Sequence, residues 1–385
     1  MVGNLDLHSV RAFLDERHLG FARAIGEFAV RALASRPEPA DDDACRSEAR
    51  TLMAELGTAG WFEPIRARDW RSCCVAREVL AAASPLADAV FALQALGTLP
   101  LLLADDSPVR ERWVADAARG RAMAAFAMTE AEAGSDVAAI ATTATRDGQT
   151  YRLNGAKTFI SNAGIADFYV VFASTDPAAG GKGLSCFVVP AETPGLRFVG
   201  PQRLSAPHPL GEIAFEDCRV PASHRLGEEG RGLALGLKTL DLLRATVGAA
   251  ACGMASRALA EALDHAARRR QFGKPLAEFQ LVQQKLARMA VDLTAARLLV
   301  YRAAWEADHG AERVTLEAAM AKAFATEAAQ RIVDDAVQVL GGAGVMASHP
   351  VDRLYRSVRA LRIYEGTTEI QHLVIAGRLM KDREA

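Results

Sequence analysis

Near the C-terminus, Ile363-Tyr364-Glu365-Gly366-Thr367-Thr368-Glu369 combines residue types and spacing that suit a general base. Glu365 lies between a β-prone Ile-Tyr pair and Gly366-Thr367, a pair suited to break one element and cap the next. Ile370, Leu373, Val374 and Gly377 then recur on one face of a helix. A carboxylate on a tight turn at a helix entrance has a fixed direction, which a general base needs more than it needs strength. A plain solvated glutamate suits the same place, because negative charge favours the N-terminal end of a helix macrodipole. The rest of the chain decides between the two.

Other clusters carry polar groups in patterns that suit a ligand. Phe126-Ala127-Met128-Thr129-Glu130-Ala131-Glu132-Ala133-Gly134-Ser135-Asp136 is too acidic and too rich in small residues for a core strand. Its Gly-Ser-Asp turn presents backbone N–H groups and a hydroxyl, as a phosphate site requires, although a polar interdomain loop has the same composition. Asn154-Gly155-Ala156-Lys157-Thr158-Phe159-Ile160-Ser161-Asn162 reads as a hairpin turn leading into a strand. Alternation puts Phe159 and Ser161 on one face, a ring beside a hydroxyl that suits a planar heteroaromatic cofactor or a half-buried strand.

Arg268-Arg269-Arg270-Gln271-Phe272-Gly273-Lys274-Pro275 ends a long helix, where basic residues and a Gly/Pro stop are favourable with or without an anion. Gln338-Val339-Leu340-Gly341-Gly342 ends another, and glycine there permits close approach of a backbone or ligand. Two glycine-rich sites are discounted. Gly342-Ala343-Gly344-Val345-Met346-Ala347 mimics a dinucleotide fingerprint, but a helical run precedes it where a strand is needed. The Gly180-Gly181-Lys182-Gly183 tip lacks phosphate-loop spacing and reads as a hairpin.

The elements that must position these residues fall into three zones. From about residue 5 to 122 the apolar period is helical, broken at Arg36-Pro37-Glu38-Pro39 and near Ser84-Pro85. Between 124 and 230 the spacing predicts strands over 150–160, 168–173, 184–189, 196–199 and 212–220, as in a small β-barrel or sandwich. From 231 long helices return, over about 233–270, 279–307, 316–340 and 368–380, which fit an antiparallel four-helix bundle. The expectation is an α+β chain of three domains, 1–123 helical, 124–230 β and 231–385 a four-helix bundle.

Composition narrows the function. Formal net charge is −2, from 45 basic and 47 acidic residues, which argues against a nucleic-acid or anionic-membrane footprint. The six cysteines show no spacing that suits zinc, so no metal is expected, and a reducing cytoplasm is the natural home. No signal peptide is read at Met1–Leu7. The most apolar stretch, 89–104, is interrupted by Gln94, Gly97 and Pro100 and reads as too short to span a bilayer.

Taken together and in order, these pieces resemble the acyl-CoA dehydrogenase family of flavoproteins over essentially the whole chain. The resemblance implies FAD between the β domain and the C-terminal bundle, its adenine end reaching a neighbouring subunit. Residues 126–136 match the family's Thr-Glu-x-x-Ala-Gly-Ser-Asp segment. The backbone at Phe126 and Met128, with Thr129, would then contact the isoalloxazine, and Gly134-Ser135 the pyrophosphate side. Phe159 takes the place of a flavin-stacking aromatic, often Trp, and Ser161 that of a Thr. Arg269, Phe272 and Gln280 match the arm that reaches a partner's FAD; Gln338, Gly341 and Gly342 match its companion. Thr367 and Glu369 match the helix start beside the cofactor.

By the same resemblance Glu365 aligns with the base that takes the α-proton of an acyl-CoA thioester. The β-hydrogen leaves as hydride to the flavin, giving the trans-2-enoyl-CoA, and electrons pass to an electron-transfer flavoprotein. A second branch of the family carries its glutamate just before an arginine matching Arg244, and that place holds Leu243. Ser135, Asp241 and Arg244 match residues on the substrate side, although Asp241 and Arg244 at i and i+3 also suit a structural ion pair. A homo-oligomer, tetramer or dimer, is implied. Two relatives with other chemistry, nitroalkane oxidases with Asp at the base position and desulfinases without the glutamate, are disfavoured by Glu365; a non-catalytic acyl-CoA binder is the remaining alternative. The stretch 201–211 departs from the family pattern with two internal prolines and His208. Leu240, Leu242 and Leu243 give no acyl length.

Overall fold

The computed structural model describes residues 5–104, 108–381 and 383. In chain order the helices are α1 (Glu16–Ala32), α2 (Asp42–Thr58), α3 (Glu63–Ala67), α4 (Trp70–Ala83), α5 (Pro85–Leu103) and α6 (Pro108–Ala118). The strands follow: β1 (Ala124–Ala127), β2 (Thr143–Asp147), β3 (Thr150–Ser161), β4 (Phe168–Ser174), β5 (Leu184–Pro190), β6 (Leu196–Pro201), β7 (Leu210–Pro221) and β8 (Arg225–Leu226). Then come α7 (Gly232–Arg268), a short hairpin β9 (Arg270–Gln271) and β10 (Lys274–Pro275), α8 (Gln280–Asp308), α9 (Thr315–Leu340), α10 (Pro350–Leu361) and α11 (Thr368–Lys381). The contacts divide the chain into two compact units, one of residues 1–37, 69–88 and 241–385, the other of 38–68 and 89–240.

The second unit is built on one eight-stranded sheet in the order β6-β7-β3-β2-β4-β5-β8, with β1 added parallel to β4. The sheet is open among the described residues, so of the expected barrel or sandwich the closed barrel is not formed. Its end strands, β6 and β8, pair only with β7 and β5 among the described residues, so no ladder joins the two edges. β4 and β5 are apolar throughout because both faces are covered: Tyr169, Val171 and Phe187 pack on one side, Phe168, Val170 and Val188 on the other.

β3 corrects the sequence reading. Asn154-Gly155 is not a hairpin turn but a bulge inside a continuous strand, with a register shift between Leu153 and Gly155. Gly155 takes φ +143, and an added Cβ would lie 2.8 Å from the Thr142 Cα, so a side chain has no room. The turn itself falls at Gly148, φ +59, between β2 and β3. α5 is longer than the apolar stretch suggested, because Gln94 is satisfied inside the fold. Its amide donates to the Ala117 and Ala122 carbonyls at 3.0 and 2.7 Å and accepts from the Ala124 N–H at 3.0 Å. α5 is the one described helix long and apolar enough to cross a membrane, and 83% of its apolar window is buried in the protein.

In the first unit α9 is central, packing on α8, α10 and α11, while α4 packs on α1 and α8. α10 adds a helix to the expected four; Val351, Leu354, Val358 and Leu361 are its buried stripe. α7 approaches α4 closely because Gly253 has no side chain, where a Cβ would fall 2.1 Å from the Glu78 carbonyl oxygen. Glu78 is fully buried and is matched by Arg297 at 2.6 Å and the Tyr301 hydroxyl at 2.9 Å. Removing Arg297 would leave this buried carboxylate with an uncompensated charge. The six cysteines are all free and buried.

Candidate active site

Glu365 stands in the turn between α10 and α11, and the turn is strained. Glu365 has φ +54 and Gly366 φ +90. A non-glycine residue held in that region costs roughly 1–3 kcal/mol and persists only where its surroundings over-determine it. Here the surroundings do. The Glu365 carbonyl accepts from Arg244 Nε at 3.3 Å and from Gln371 Nε2 at 3.2 Å. The Gly366 carbonyl accepts from Lys322 Nζ at 2.7 Å and from the same Gln371 amide at 3.0 Å. Glu327 ties the two ends of the turn, accepting from Arg362 Nε and from the Thr368 hydroxyl, each at 2.7 Å. Thr367 caps α11 by accepting from the Ile370 N–H at 3.3 Å.

The carboxylate itself is left free. Glu365 Oε2 is buried and has no hydrogen-bond partner among the described residues. Burial pushes its pKa above the usual carboxylate range; Arg77, Lys322 and Arg244 pull it down, and Asp88 adds to the rise. The net direction is upward, toward the range a general base needs. A polar atom buried without a partner is costly unless a ligand or a reaction uses it.

Arg77 on α4 supplies part of that field from a fixed place. It grips Asp88 of α5 through two bonds, Nε to Oδ1 at 2.8 Å and Nη2 to Oδ2 at 3.0 Å, and donates to the Thr246 hydroxyl at 3.1 Å. Both side chains of the pair are almost fully buried. Arg244 is buried too, and its Nη1 goes to Asp241 Oδ1 at 2.6 Å, while Asp241 Oδ2 accepts from the Thr315 hydroxyl at 2.5 Å. The pair at i and i+3 is formed, and what Arg244 has left is aimed at the Glu365 backbone. The sequence reading missed Lys322, Arg77, Asp88 and Gln371. One signal was available: Lys322 and Thr326 interrupt an alanine stripe at 318, 321, 325 and 329, a buried helical face on which a lysine needs a reason.

Within the second unit the structure gathers the residues expected on the flavin's side. The Thr129 carbonyl accepts from the Thr158 N–H at 3.0 Å and the Met128 carbonyl from Lys157 Nζ at 3.0 Å, which lays 126–130 beside 157–159. Lys157 also pairs with Glu130 at 2.7 Å, and burial lowers the lysine to about 8 despite that partner. Phe126 packs on Phe172 at 4.9 Å. β3 bulges a second time between Lys157 and Ile160, where Phe159 takes φ +55 and stands 61% exposed. The unusual 201–211 stretch clamps this bulge. Gln202 accepts from the Phe159 N–H at 2.8 Å and donates to the Thr158 hydroxyl at 2.7 Å; His208 Nε2 meets the Ser161 hydroxyl at 2.7 Å. The Pro209 carbonyl accepts from the Asn162 N–H at 2.7 Å. Burial, with Arg46 nearby, lowers His208 to about 4, so it is neutral at pH 7.

These residues fit a flat cofactor with a phosphate tail. Phe159 offers an exposed ring held by a strained backbone, and at Gly134, beside exposed Ser135, a Cβ would meet nothing within 4 Å. In the first unit the same holds at Gly341 and Gly342, next to exposed Gln338. Phe272, 93% exposed at φ +48, tips the β9–β10 hairpin. Arg269 and Gln280 flank that hairpin, both exposed, the Arg269 carbonyl accepting from the Leu276 N–H at 2.9 Å. Glu369 lies exposed in the first turn of α11.

Known proteins resemble this arrangement. Two family models match: acyl-CoA dehydrogenase, middle domain, over residues 125–218, and acyl-CoA dehydrogenase, C-terminal domain, over residues 230–380. A 3-(aryl)acrylate reductase of Clostridium sporogenes is 45% identical over 288 residues, 74% of this chain and 76% of its own. Cyclohexane-1-carbonyl-CoA dehydrogenase of Geobacter metallireducens is 40% identical over 315 residues, 80% of this chain and 81% of its own. Among solved structures, butyryl-CoA dehydrogenase from Megasphaera elsdenii aligns with TM-score 0.88 at 34% identity, covering 95% of this chain and 99% of that one.

Proposed function

The chain belongs to the acyl-CoA dehydrogenase family of FAD-dependent oxidoreductases, and from that premise we propose that Glu365 is the base that opens the reaction. It takes the α-proton of an acyl-CoA thioester. The observation that carries this is the free, buried Glu365 Oε2 on a turn whose carbonyls are held by Arg244, Lys322 and Gln371. A C–H proton makes no hydrogen bond in the ground state, so the oxygen that removes it must be left without a partner and still be aimed. The Glu365 N–H is our choice of donor to the enolate oxygen that forms as the proton leaves.

FAD, when bound, supplies the acceptor for the β-hydrogen, which leaves with its electron pair so that the thioester becomes the trans-2-enoyl-CoA. The residues that would hold it are Phe126, Met128, Thr129, Gly134, Ser135, Phe159 and Ser161, with Arg269, Phe272, Gln280, Gln338, Gly341, Gly342, Thr367 and Glu369. The acyl group we propose is compact or ring-bearing, in keeping with the relatives named for aryl, cyclohexane and butyryl substrates. An electron-transfer flavoprotein is the proposed acceptor, a homo-oligomer the proposed assembly, and a reducing cytoplasm, suited to six buried free thiols, the proposed location.

The experiment is anaerobic addition of butyryl-, cyclohexanecarbonyl- and 3-arylpropionyl-CoA to the purified holoenzyme, watching the visible flavin band. At least one should bleach it in the wild type and none in Glu365→Gln, which keeps its flavin. Bleaching of the variant at a near-normal rate would sink the assignment of Glu365 as base.

A further inference from the structure

Lys322 is a lysine with no solvent exposure on the inner face of α9. Fully burying an ammonium without a compensating anion is expensive, and the usual partner would be a carboxylate in direct contact. Lys322 has none. Its hydrogen bond runs to a neutral acceptor, the Gly366 carbonyl at 2.7 Å, one residue beyond Glu365. The Thr326 hydroxyl, next on the same face, donates to the Lys322 carbonyl at 2.9 Å and so does not serve the ammonium. A hydrogen bond to that carbonyl needs only an amide or hydroxyl donor, and Gln371 already provides one at 3.0 Å. What the lysine adds is charge.

We propose that Lys322 is the positioning residue of the base: its buried ammonium fixes the Gly366 carbonyl and adds positive charge that favours the ionised Glu365 carboxylate in a desolvated place. The inference rests on the reading of Glu365 as base. It assigns the lysine a role without letting it touch the substrate.

The charges around the pair support this division of labour. Facing Lys322 are Glu365, Arg244 on α7, Glu327 on its own helix and Glu369 on α11; facing Glu365 are Arg77 on α4, Lys322, Arg244 and Asp88 on α5. Burial lowers Lys322 to about 8, with Arg244 adding to the drop, while Glu365 first and then Glu327 and Glu369 hold it up. Arg77 is neutralised by two bonds to Asp88 and Arg244 by Asp241. Lys322 is the cation of the three with no salt bridge of its own among the described residues, and Glu365 is the first of the carboxylates that hold up its charge.

The test compares wild type, Lys322→Met and Lys322→Arg as FAD holoenzymes. Two readouts are taken against pH: the rate of flavin bleaching by the best acyl-CoA, and the infrared carbonyl stretch of the protonated Glu365 side chain, assigned by its absence in Glu365→Gln. Removal of a nearby positive charge raises a carboxyl pKa, so in Lys322→Met both midpoints should move to higher pH by about 1 unit or more. Lys322→Arg should bring them back. If the Met variant fails to fold, Lys322→Gln, which keeps an N–H donor and loses the charge, serves in its place with the same expected shift. Midpoints equal to wild type in a folded, flavin-loaded neutral variant would overturn the proposal. If Glu365→Gln itself still bleaches, the base reading falls instead, and the two failures are told apart by that control.

Discussion

The Arg77–Asp88 pair allows stability and chemistry to be separated by sign. Asp88→Asn leaves a buried guanidinium with one carboxylate removed. Breaking a buried pair from one side typically costs about 3–5 kcal/mol. Here Asn still offers Arg77 one carbonyl acceptor, worth about 1 kcal/mol, so a loss of about 2–4 kcal/mol is expected. Thermal unfolding should register this as a fall in Tm of several degrees. Chemistry should move the other way. Asp88 raises the Glu365 pKa and Arg77 lowers it. Freed of its counter-charge, Arg77 pulls harder on Glu365. The acid limb of the flavin-bleaching profile should therefore shift to lower pH in Asp88→Asn and to higher pH in Arg77→Met, although both variants lose stability. A shift in the same direction for both, or an Asp88→Asn profile that moves up in pH, would refute the claim that this pair acts on the base electrostatically.

Further outcomes follow from other groups. Gln371→Ala removes the donor shared by the Glu365 and Gly366 carbonyls, so the bleaching rate should fall about tenfold at an unchanged flavin content; an unchanged rate would mean that Arg244 and Lys322 suffice. His208 is held neutral by burial at about 4, below its ordinary value, so its contribution to stability is present above the unfolded pKa near 6.5 and is lost as pH falls toward 4. His208→Gln should accordingly lose less stability than wild type between pH 7 and pH 5, as read by chemical denaturation. Equal losses would place the acid sensitivity elsewhere.

Much of this was legible because it is local. The long strands and helices were set by apolar period, and Glu365 by a turn between an Ile-Tyr pair and a glycine. What was not legible depends on register and on distance in the chain. Asn154-Gly155 has the composition of a hairpin turn, yet it bulges, because β3 continues past it to pair with β7 through Ser161. Local chemistry offered both outcomes, and pairing with a strand more than fifty residues away selected one. β1 is four residues long and rides parallel on β4, a partner absent from its own neighbourhood. The stretch 201–211 stood out as unusual, but its use as a clamp on Thr158, Phe159, Ser161 and Asn162 needed the fold. Lys322 is the instructive miss. Its position on a buried alanine face was readable, whereas its object, a carbonyl 44 residues away, was not.

The base turn also resolves a conflict that any buried carboxylate faces. Left alone in a desolvated site, Glu365 would hold its proton more tightly, and a protonated carboxyl abstracts nothing. Clamped by a direct bidentate arginine, it would ionise readily and lose both its basicity and its free oxygen. The structure takes neither course. Arg244 and Lys322 spend their hydrogen bonds on the Glu365 and Gly366 carbonyls, at 3.3 and 2.7 Å, and reach the carboxylate only through space. Their directional bonds thus fix the backbone, and their charges, which need no direction, offset part of the burial. That separation lets one oxygen, Oε2, remain without a partner inside a turn whose carbonyls at Glu365 and Gly366 are both held. The left-handed φ of Glu365 carries a strain of roughly 1–3 kcal/mol, which the hydrogen bonds to the turn offset.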